Sequence, residues 1–599
     1  MGVVRPSRVH VAIVIGACLL IHGVIVLQYL PQLGRGELLD RTDSYIRLLR
    51  AERLYDSWSW YDAGLPRSTS PFGGPSHWTR PVDAMLLASA MPLAPLLGIR
   101  SALYWTAIGL GPVLQILIGL GVAWAALPLV PRPALVMLAV AAQPMLVSLT
   151  AGQIDHHALI LVLFAAASGL VIRLLRAADD ARCATALGAC CALGLWVSIE
   201  FLLVLGVILL VTTAAWIWRG DEHHVANRRF AAAMLAGTAV ALLLERPVAD
   251  LFLVEYDRLS ILHLWMLTMA CLFWWLAPSA RSTRPVGRLL VAMAGASTAA
   301  VGLWWTFPLA FAGPLAEVDP RLLRLWEVHV VENRFLWSAS TDGPGRFVGY
   351  LGLPMAALGY AIMRMSALRD RAVRFGWLYL TLALLLYVPL AVARIRFAGY
   401  AEMLAAVAAA DAITRLYPYL GRSVRPSIRA VVRGAGMAAV LVGAPAVGLA
   451  MTALAGRDGA LPSRADACSV VELARRLEGP PFGSRTMTVA AHVDFGPQLL
   501  YRTHHRVLAT PYHRNAEGIL GVHDLLAGPA TDRPPPFVQA RGIDLVAICP
   551  PADSSFFERE AASDSLYERL QAGAPPAWLQ PVRVTGDGTA SFRVFEVPR

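Results

Sequence analysis

The stretch Gly152-Gln153-Ile154-Asp155-His156-His157 carries one carboxylate and two imidazoles into the start of an apolar run. Ionisable groups at such a boundary cost free energy unless they are paired, hydrated or used. Asp155 by itself could simply cap a helix N-terminus, but capping leaves the two histidines unexplained. Near a frayed helix end, Asp155 and His157 could both reach one cation, and carboxylate with imidazole suits Mg²⁺ or Mn²⁺. Asp40 and Asp43 lie upstream in a polar stretch followed by Tyr45 and Arg47, and Glu332 lies far downstream. Each could be a solvated loop acid. If brought together, oxygen ligands from separate loops would make an open site for a hard divalent cation, with positions left for a phosphate. Arg394 and Arg396 precede Phe397 and Tyr400 in an apolar region. An intramembrane arginine is an anion-binding candidate, and its fork matches phosphate. The structural alternative is an ion pair with Glu402. Glu200, and the set Asp257, Arg258 and His263 after Glu245, are further ionisable groups among apolar runs.

The elements that must position these groups are membrane helices. Of 599 residues, 57% are hydrophobic and 16% charged, against about a quarter charged in a soluble protein. The shortage is confined to residues 1–455, whereas 456–599 read as a soluble domain. Apolar runs at 9–30, 101–128, 133–150, 156–175, 183–198, 200–218, 229–245, 259–277, 287–310, 346–364, 374–392, 396–414 and 430–454 predict about 13 transmembrane helices. The run 183–218 could be one helix or two, and 84–98 could be re-entrant. The first run is too long for a signal-peptide core and reads as an uncleaved helix.

The formal net charge is +11. The arginines that produce it sit in every second loop, at Arg132, Arg173, Arg219, Arg281, Arg364 and Arg415 among others. That placement serves topology and not nucleic-acid binding. It puts the N-terminus in the cytoplasm of a bacterial inner membrane and the alternate loops and C-terminal domain on the periplasmic face. Two external loops are long, about 31–83 and 311–345, and their aromatic and mixed-charge content argues against disorder. They hold Asp43, Tyr45, His77, Arg80 and Glu332.

In the C-terminal part, Thr486–Ala491, Arg506–Ala509 and Asp544–Ile548 read as strands, and Val470–Leu477 and Ser563–Ala572 as helices, giving a small α/β domain. Its two cysteines, Cys468 and Cys549, could form a disulfide on the external side or remain buried thiols. Tyr512-His513-Arg514-Asn515 could line a cleft or pack the domain on the membrane.

Taken together, these positions resemble the catalytic subunit of oligosaccharyltransferase, within the GT-C class of membrane glycosyltransferases. The resemblance rests on order and sidedness: Asp43-Ser-Tyr in the first external loop, Asp155-His-His at a later helix start, Glu332 in the long loop, and Arg396-Phe-x-x-Tyr400 in a late helix. His77-Trp-Thr-Arg-Pro-Val-Asp83 and Tyr512-His-Arg-Asn515 look like a bacterial branch of that family. The resemblance implies that Asp43, Asp155 and His157 hold a divalent metal. It implies that Glu332 approaches metal and acceptor, with Glu327 as the competing choice, and that Arg396 binds donor phosphate. The sequence departs from the asparagine-glycosylating members, which carry a Trp-Trp-Asp-Tyr-Gly signature absent here.

The implied activity is inverting transfer of a sugar or oligosaccharide from a polyprenyl-phosphate or pyrophosphate carrier to a protein, lipid or glycan acceptor. Asp43, Asp155 and Glu332 would be catalytic. Arg396, Tyr400, Tyr45, Arg80, His77, His513 and Arg514 would contact substrate. Two readings compete with it: a GT-C monosaccharide transferase acting on lipid or cell-wall glycan, and a transporter or flippase. The transporter reading would call for internal repeats and midplane polar groups.

Overall fold

The computed structural model describes residues 38–39, 42–277, 284–330, 333–337, 343–455, 468–558, 561–582 and 592–598, with scattered positions between 12 and 23. Asp40 and Glu332 lie outside the described residues. Two helices precede the main bundle, α1 (Thr42–Ser57) and α2 (Pro81–Ala90). The bundle begins with α3 (Ile99–Ala126), α4 (Pro133–Ala141), α5 (His156–Arg176), α6 (Ala181–Val197) and α7 (Phe201–Arg219). It continues with α8 (Asp221–Glu245), α9 (Ile261–Leu276) and α10 (Pro285–Thr306). After α11 (Pro320–His329) in the second long loop come α12 (Gly343–Ala367), α13 (Arg371–Ala393), α14 (Ala398–Leu416) and α15 (Pro426–Ala455).

Each apolar run expected from residue 101 onward coincides with helix. Among the described residues, eight helices are long and apolar enough to cross a membrane by themselves. The run 133–150 is broken. Pro144 has no N–H to give and holds Gln143 extended (φ −87°, ψ 122°), so α4 stops and a short helix, Pro144–Ser148, starts afresh. The open N–H groups of Met145 and Leu146 are taken by the buried Glu402 carboxylate at 3.0 and 3.1 Å. Glu402 therefore caps a helix and is not the partner of Arg396. The run 183–218 is two helices, parted where Ser198 turns extended (φ −163°, ψ 142°).

Helix α14 forms the centre of the bundle. The span Ile395–Leu416 is 89% buried over its apolar window, whereas α10 is 0% buried and faces outward along its length. The alanines of α14 explain the difference, because small side chains let neighbouring helices approach closely.

The C-terminal part holds a five-stranded sheet built from β1 (Thr488–Ala491), β2 (Arg506–Val507), β3 (Leu545–Ile548), β4 (Gln580–Val582) and β5 (Arg593–Glu596), in the order β2-β1-β3-β5-β4. The β1 strand pairs parallel with β2 and β3, and β5 pairs antiparallel with β3 and β4. Strands β1 and β3 are buried at every residue, as strands covered on both faces must be. Cys468 and Cys549 form a disulfide. The first long loop runs along the free edge of β2: Val507 N–H donates to the Arg67 carbonyl (2.9 Å) and Ser70 N–H to the Val507 carbonyl (3.2 Å). The Arg67 guanidinium binds the carbonyls of Leu500 and Thr503 at 2.6 Å and of His505 at 2.9 Å. Membrane helices and C-terminal residues share one continuous core, in which Tyr45 and Tyr501 meet at 5.4 Å.

Candidate active site

The N-terminus of α1 is aimed by a buried ion cluster. Asp83 of α2 receives Arg47 (3.0 Å), Arg50 (2.9 and 2.6 Å) and Arg80 (3.3 Å). All four side chains are at most 1% exposed. The remaining donors of these arginines go largely to backbone carbonyls, including those of Thr79, Trp78, Trp60 and Asp62. The cluster locks α1 against α2, and Arg47 also lies 4.2 Å over the Trp78 ring. Arg80, read from sequence as a substrate contact, belongs to this lock.

From that anchor, residues 43 and 44 reach the N-terminus of α5. Ile154 N–H donates to Ser44 Oγ at 3.0 Å, which joins the sequence neighbours of Asp43 and Asp155. Asp155 caps α5 in an extended conformation, accepting from His156 N–H at 2.6 Å and contacting the His156 ring. Burial would push the Asp155 carboxyl up, but the imidazoles of His156 and His157 and the nearby Arg47 outweigh it and hold the group ionised. The Tyr512 hydroxyl donates to Asp43 at 2.9 Å. Desolvation first, and then the carboxylates of Asp43 and Asp155, push this phenol well up, so it remains a donor. Tyr512, from the C-terminal part, thus binds Asp43 and lies within the electrostatic reach of Asp155.

The cluster extends into the membrane helices through a residue that sequence reading left without a role. His157 has Nε2 3.5 Å from Asp155 Oδ2 and Nδ1 3.6 Å from Glu200 Oε2. Glu200 pairs with Arg396 at 3.1 Å and accepts from the Tyr400 hydroxyl at 3.4 Å. The break at Ser198 puts Glu200 here; in sequence, its only signal was a charge between two apolar runs. Arg396 is 27% exposed, and its buried Nε has no hydrogen-bond partner among the described residues.

An aromatic wall closes one side. Trp78 lies 4.9 Å from Tyr512 and 6.4 Å from His156, and His77 lies 4.5 Å from His513. Desolvation and the neighbouring His513 push the His77 imidazole well down, so it is neutral near pH 7 and presents a ring and a single N–H. His513 and Arg514 form a clamp: both bind Asp257, His513 at 2.7 Å, and Arg514 also reaches Glu255 at 2.8 Å. The clamp ties the loop after α8 to the C-terminal part and leaves Arg514 neutralised. Tyr45 turns away from the pocket; its hydroxyl donates to the Leu39 carbonyl (3.0 Å) and accepts from Arg502 (2.9 Å). The stretch just after Glu332 is fixed beside Arg396, because the Asn333 carbonyl accepts from Arg394 (3.2 Å) and the Arg334 carbonyl from Ile395 N–H (3.2 Å).

Ligand atoms of Asp155, His156 and His157 lie within 4.8 Å of one another. This oxygen-and-nitrogen donor set fits a divalent cation of the Mg²⁺, Mn²⁺ or Zn²⁺ kind; Asp43 is not part of that group and is joined to it only through the Ser44–Ile154 bond. A second group, Glu478, His504 and His505, has similar spacing. Its ring nitrogens are already engaged: His505 with Met487 N–H (3.2 Å) and the Leu477 carbonyl (2.9 Å), and His504 with Glu478 (2.8 Å) and the Arg485 carbonyl (3.2 Å). Those bonds pin loops together.

No family model and no curated protein matches the sequence. Solved structures do match the fold. Archaeal oligosaccharyltransferase AglB from Archaeoglobus fulgidus, in complex with an inhibitory peptide and a dolichol-phosphate, superposes with a TM-score of 0.68 at 13% identity, over 92% of this chain and 71% of that one. The same enzyme in complex with Zn and sulfate gives 0.56 at 15% identity, over 89% and 67%. ArnT from Cupriavidus metallidurans bound to undecaprenyl phosphate gives 0.40 at 12% identity, over 96% and 98%. The chain has an oligosaccharyltransferase-like fold of helical membrane-protein type, with a small C-terminal sheet.

Proposed function

We propose that this chain, which shares its fold with archaeal oligosaccharyltransferase, is a membrane glycosyltransferase drawing on a polyprenyl-linked phosphate or pyrophosphate donor at the periplasmic face. The observation that carries this reading is a run of neighbouring groups: Tyr512 hydrogen-bonds Asp43, Ser44 hydrogen-bonds Ile154 beside Asp155, and Asp155 faces His157, which faces Glu200, which pairs with Arg396. It brings a metal-type donor set together with a guanidinium whose buried Nε has no hydrogen-bond partner among the described residues. The related archaeal structures contain dolichol-phosphate in one case and Zn with sulfate in another.

In the proposed reaction, Arg396 holds the donor phosphate bidentately. Asp43, Asp155 and His157 would hold a divalent cation, which would supply positive charge against the departing phosphate. The acceptor's heteroatom attacks the anomeric carbon from the face opposite the phosphate. The bond between that carbon and the phosphate oxygen breaks, and the phosphate carries away the electron pair. Glu332 takes the acceptor's proton. Trp78, Tyr512 and His77 offer ring faces to the sugar, in keeping with their low-entropy, partly apolar surfaces. Configuration at the anomeric carbon inverts. The acceptor is a protein, lipid or glycan nucleophile.

The test is a transfer assay on the full-length protein in native membranes with radiolabelled polyprenyl-linked mono- and oligosaccharide donors, comparing wild type with Asp155→Ala. Loss of one labelled product in the variant supports the reading and identifies the donor. If Asp155→Ala membranes make every product of the wild type, the reading falls.

A further inference from the structure

Glu200 belongs to none of the motifs that point to this site, yet three of the site's side chains converge on it. It stands just before Phe201, where a carboxylate would ordinarily cap the helix, but its side chain makes no capping bond to α7. Instead Oε1 faces Arg396 Nη1 (3.1 Å), while Oε2 faces His157 Nδ1 (3.6 Å) and the Tyr400 hydroxyl (3.4 Å). The opposite nitrogen of His157 faces Asp155 Oδ2 at 3.5 Å. A metal-ligating histidine uses one neutral nitrogen on the cation and donates the other N–H to a carboxylate, which fixes its tautomer and orientation. His157 faces Asp155 with Nε2 and Glu200 with its buried Nδ1, at 3.6 Å just beyond hydrogen-bond distance, so a small approach of Glu200 would complete that arrangement.

We infer that Glu200 is a positioning residue that sets the metal-ligating His157 and the phosphate-binding Arg396 at once, so that metal and donor phosphate are bound through one shared carboxylate. The inference rests on the metal-assisted reading above. Glu200 would act from behind both groups, touching neither the cation nor the reacting carbon. Tyr400 steadies the carboxylate from the helix on the far side.

The test measures Mn²⁺ binding by the purified full-length protein in detergent, by electron paramagnetic resonance of the free ion, for wild type, Glu200→Ala, Glu200→Gln, Arg396→Ala and Asp155→Ala. Glu200→Ala is expected to bind Mn²⁺ about 10- to 100-fold more weakly, and Arg396→Ala to bind it as wild type does. Glu200→Gln retains an acceptor for His157 but loses the charge facing Arg396. It should keep most of its Mn²⁺ affinity while raising KM for the lipid-linked donor more than it lowers kcat. Unchanged Mn²⁺ affinity in Glu200→Ala, with loss in Asp155→Ala, overturns the inference and leaves the metal reading standing. No Mn²⁺ binding by wild type overturns both. If Glu200→Ala does not fold, Glu200→Gln decides: wild-type donor KM in that variant overturns the inference.

Discussion

Two clusters of this molecule hold an acid among cations, and they differ in how far their charged groups are exposed. At Asp83, three arginines surround one carboxylate, all are buried, and most of the remaining donors end on backbone carbonyls. At Glu200, the carboxylate is 15% exposed and its partner Arg396 is 27% exposed. The Asp83 cluster is closed to solvent: one buried nitrogen, Arg47 Nε, has no hydrogen-bond partner among the described residues, but its side chains are at most 1% exposed and hold α1 to α2. The cluster around Glu200 is partly exposed, and the buried Nε of Arg396 has no hydrogen-bond partner among the described residues. Exposure of the charged groups separates the structural ion cluster from the candidate reactive one more sharply than charge count does. The Glu478, His504 and His505 group is set aside on other grounds, because its ring nitrogens are already hydrogen-bonded.

Substitutions that remove one acid from each region sharpen this contrast. Asp83→Ala strands three buried guanidinium groups, and losing one partner of a buried ion cluster costs about 3–5 kcal/mol. It is expected to lower the detergent unfolding temperature more than any other variant described here, as followed by tryptophan fluorescence. Asp43→Asn should do the reverse, cutting transfer by about 10²–10³-fold, or roughly 2.7–4 kcal/mol, with an almost unchanged unfolding temperature. A large stability loss in Asp43→Asn would place Asp43 with the structural acids.

The clamp at Asp257 is intermediate. Burial pushes its carboxyl up, but hydrogen bonds from Arg514 and His513 outweigh that and hold it below the ordinary carboxylate range. A carboxyl with a depressed folded-state pKa stabilises fully above its unfolded value, about 3.9, and loses that contribution as pH falls through the folded one. Protease cutting of the loop 246–260 should therefore stay low from pH 7 to pH 5 and rise only under strong acid. Asp257→Asn should raise cutting at pH 7, by a loss of roughly 1.5–3 kcal/mol from charged hydrogen bonds. Equal cutting in the two proteins would show that the clamp does not hold that loop. The smallest effect is expected from Ser44→Ala, which removes the bond to Ile154 N–H. A single neutral hydrogen bond is worth about 1 kcal/mol, so a fewfold loss of transfer with no detectable unfolding shift is the expected outcome.

Much of the architecture could be read locally. Apolar runs long enough to span, and arginines in alternate loops, depend only on neighbours in the chain and on the bilayer's thickness. The strands at Thr488–Ala491 and Leu545–Ile548 were likewise marked by short apolar runs. Asp155 with its two histidines announced itself, because charge at the mouth of an apolar helix has few cheap explanations.

Other features were decided only by packing. Nothing near Glu200 in sequence says that it will face a histidine 43 positions earlier and an arginine 196 positions later, as residues 157 and 396 are. Arg80 and Arg514 looked as available as Arg396 until Asp83 and Asp257 were found to occupy them. The choice between a disulfide and two thiols waited on whether Cys468 and Cys549 met. Hydrophobic periodicity is settled by interactions within a few residues, so the sequence by itself determined it, whereas the break at Pro144 is completed by a cap from distant Glu402. Which charge neutralises which depends on distances between segments far apart in the chain, and only the tertiary structure fixes those.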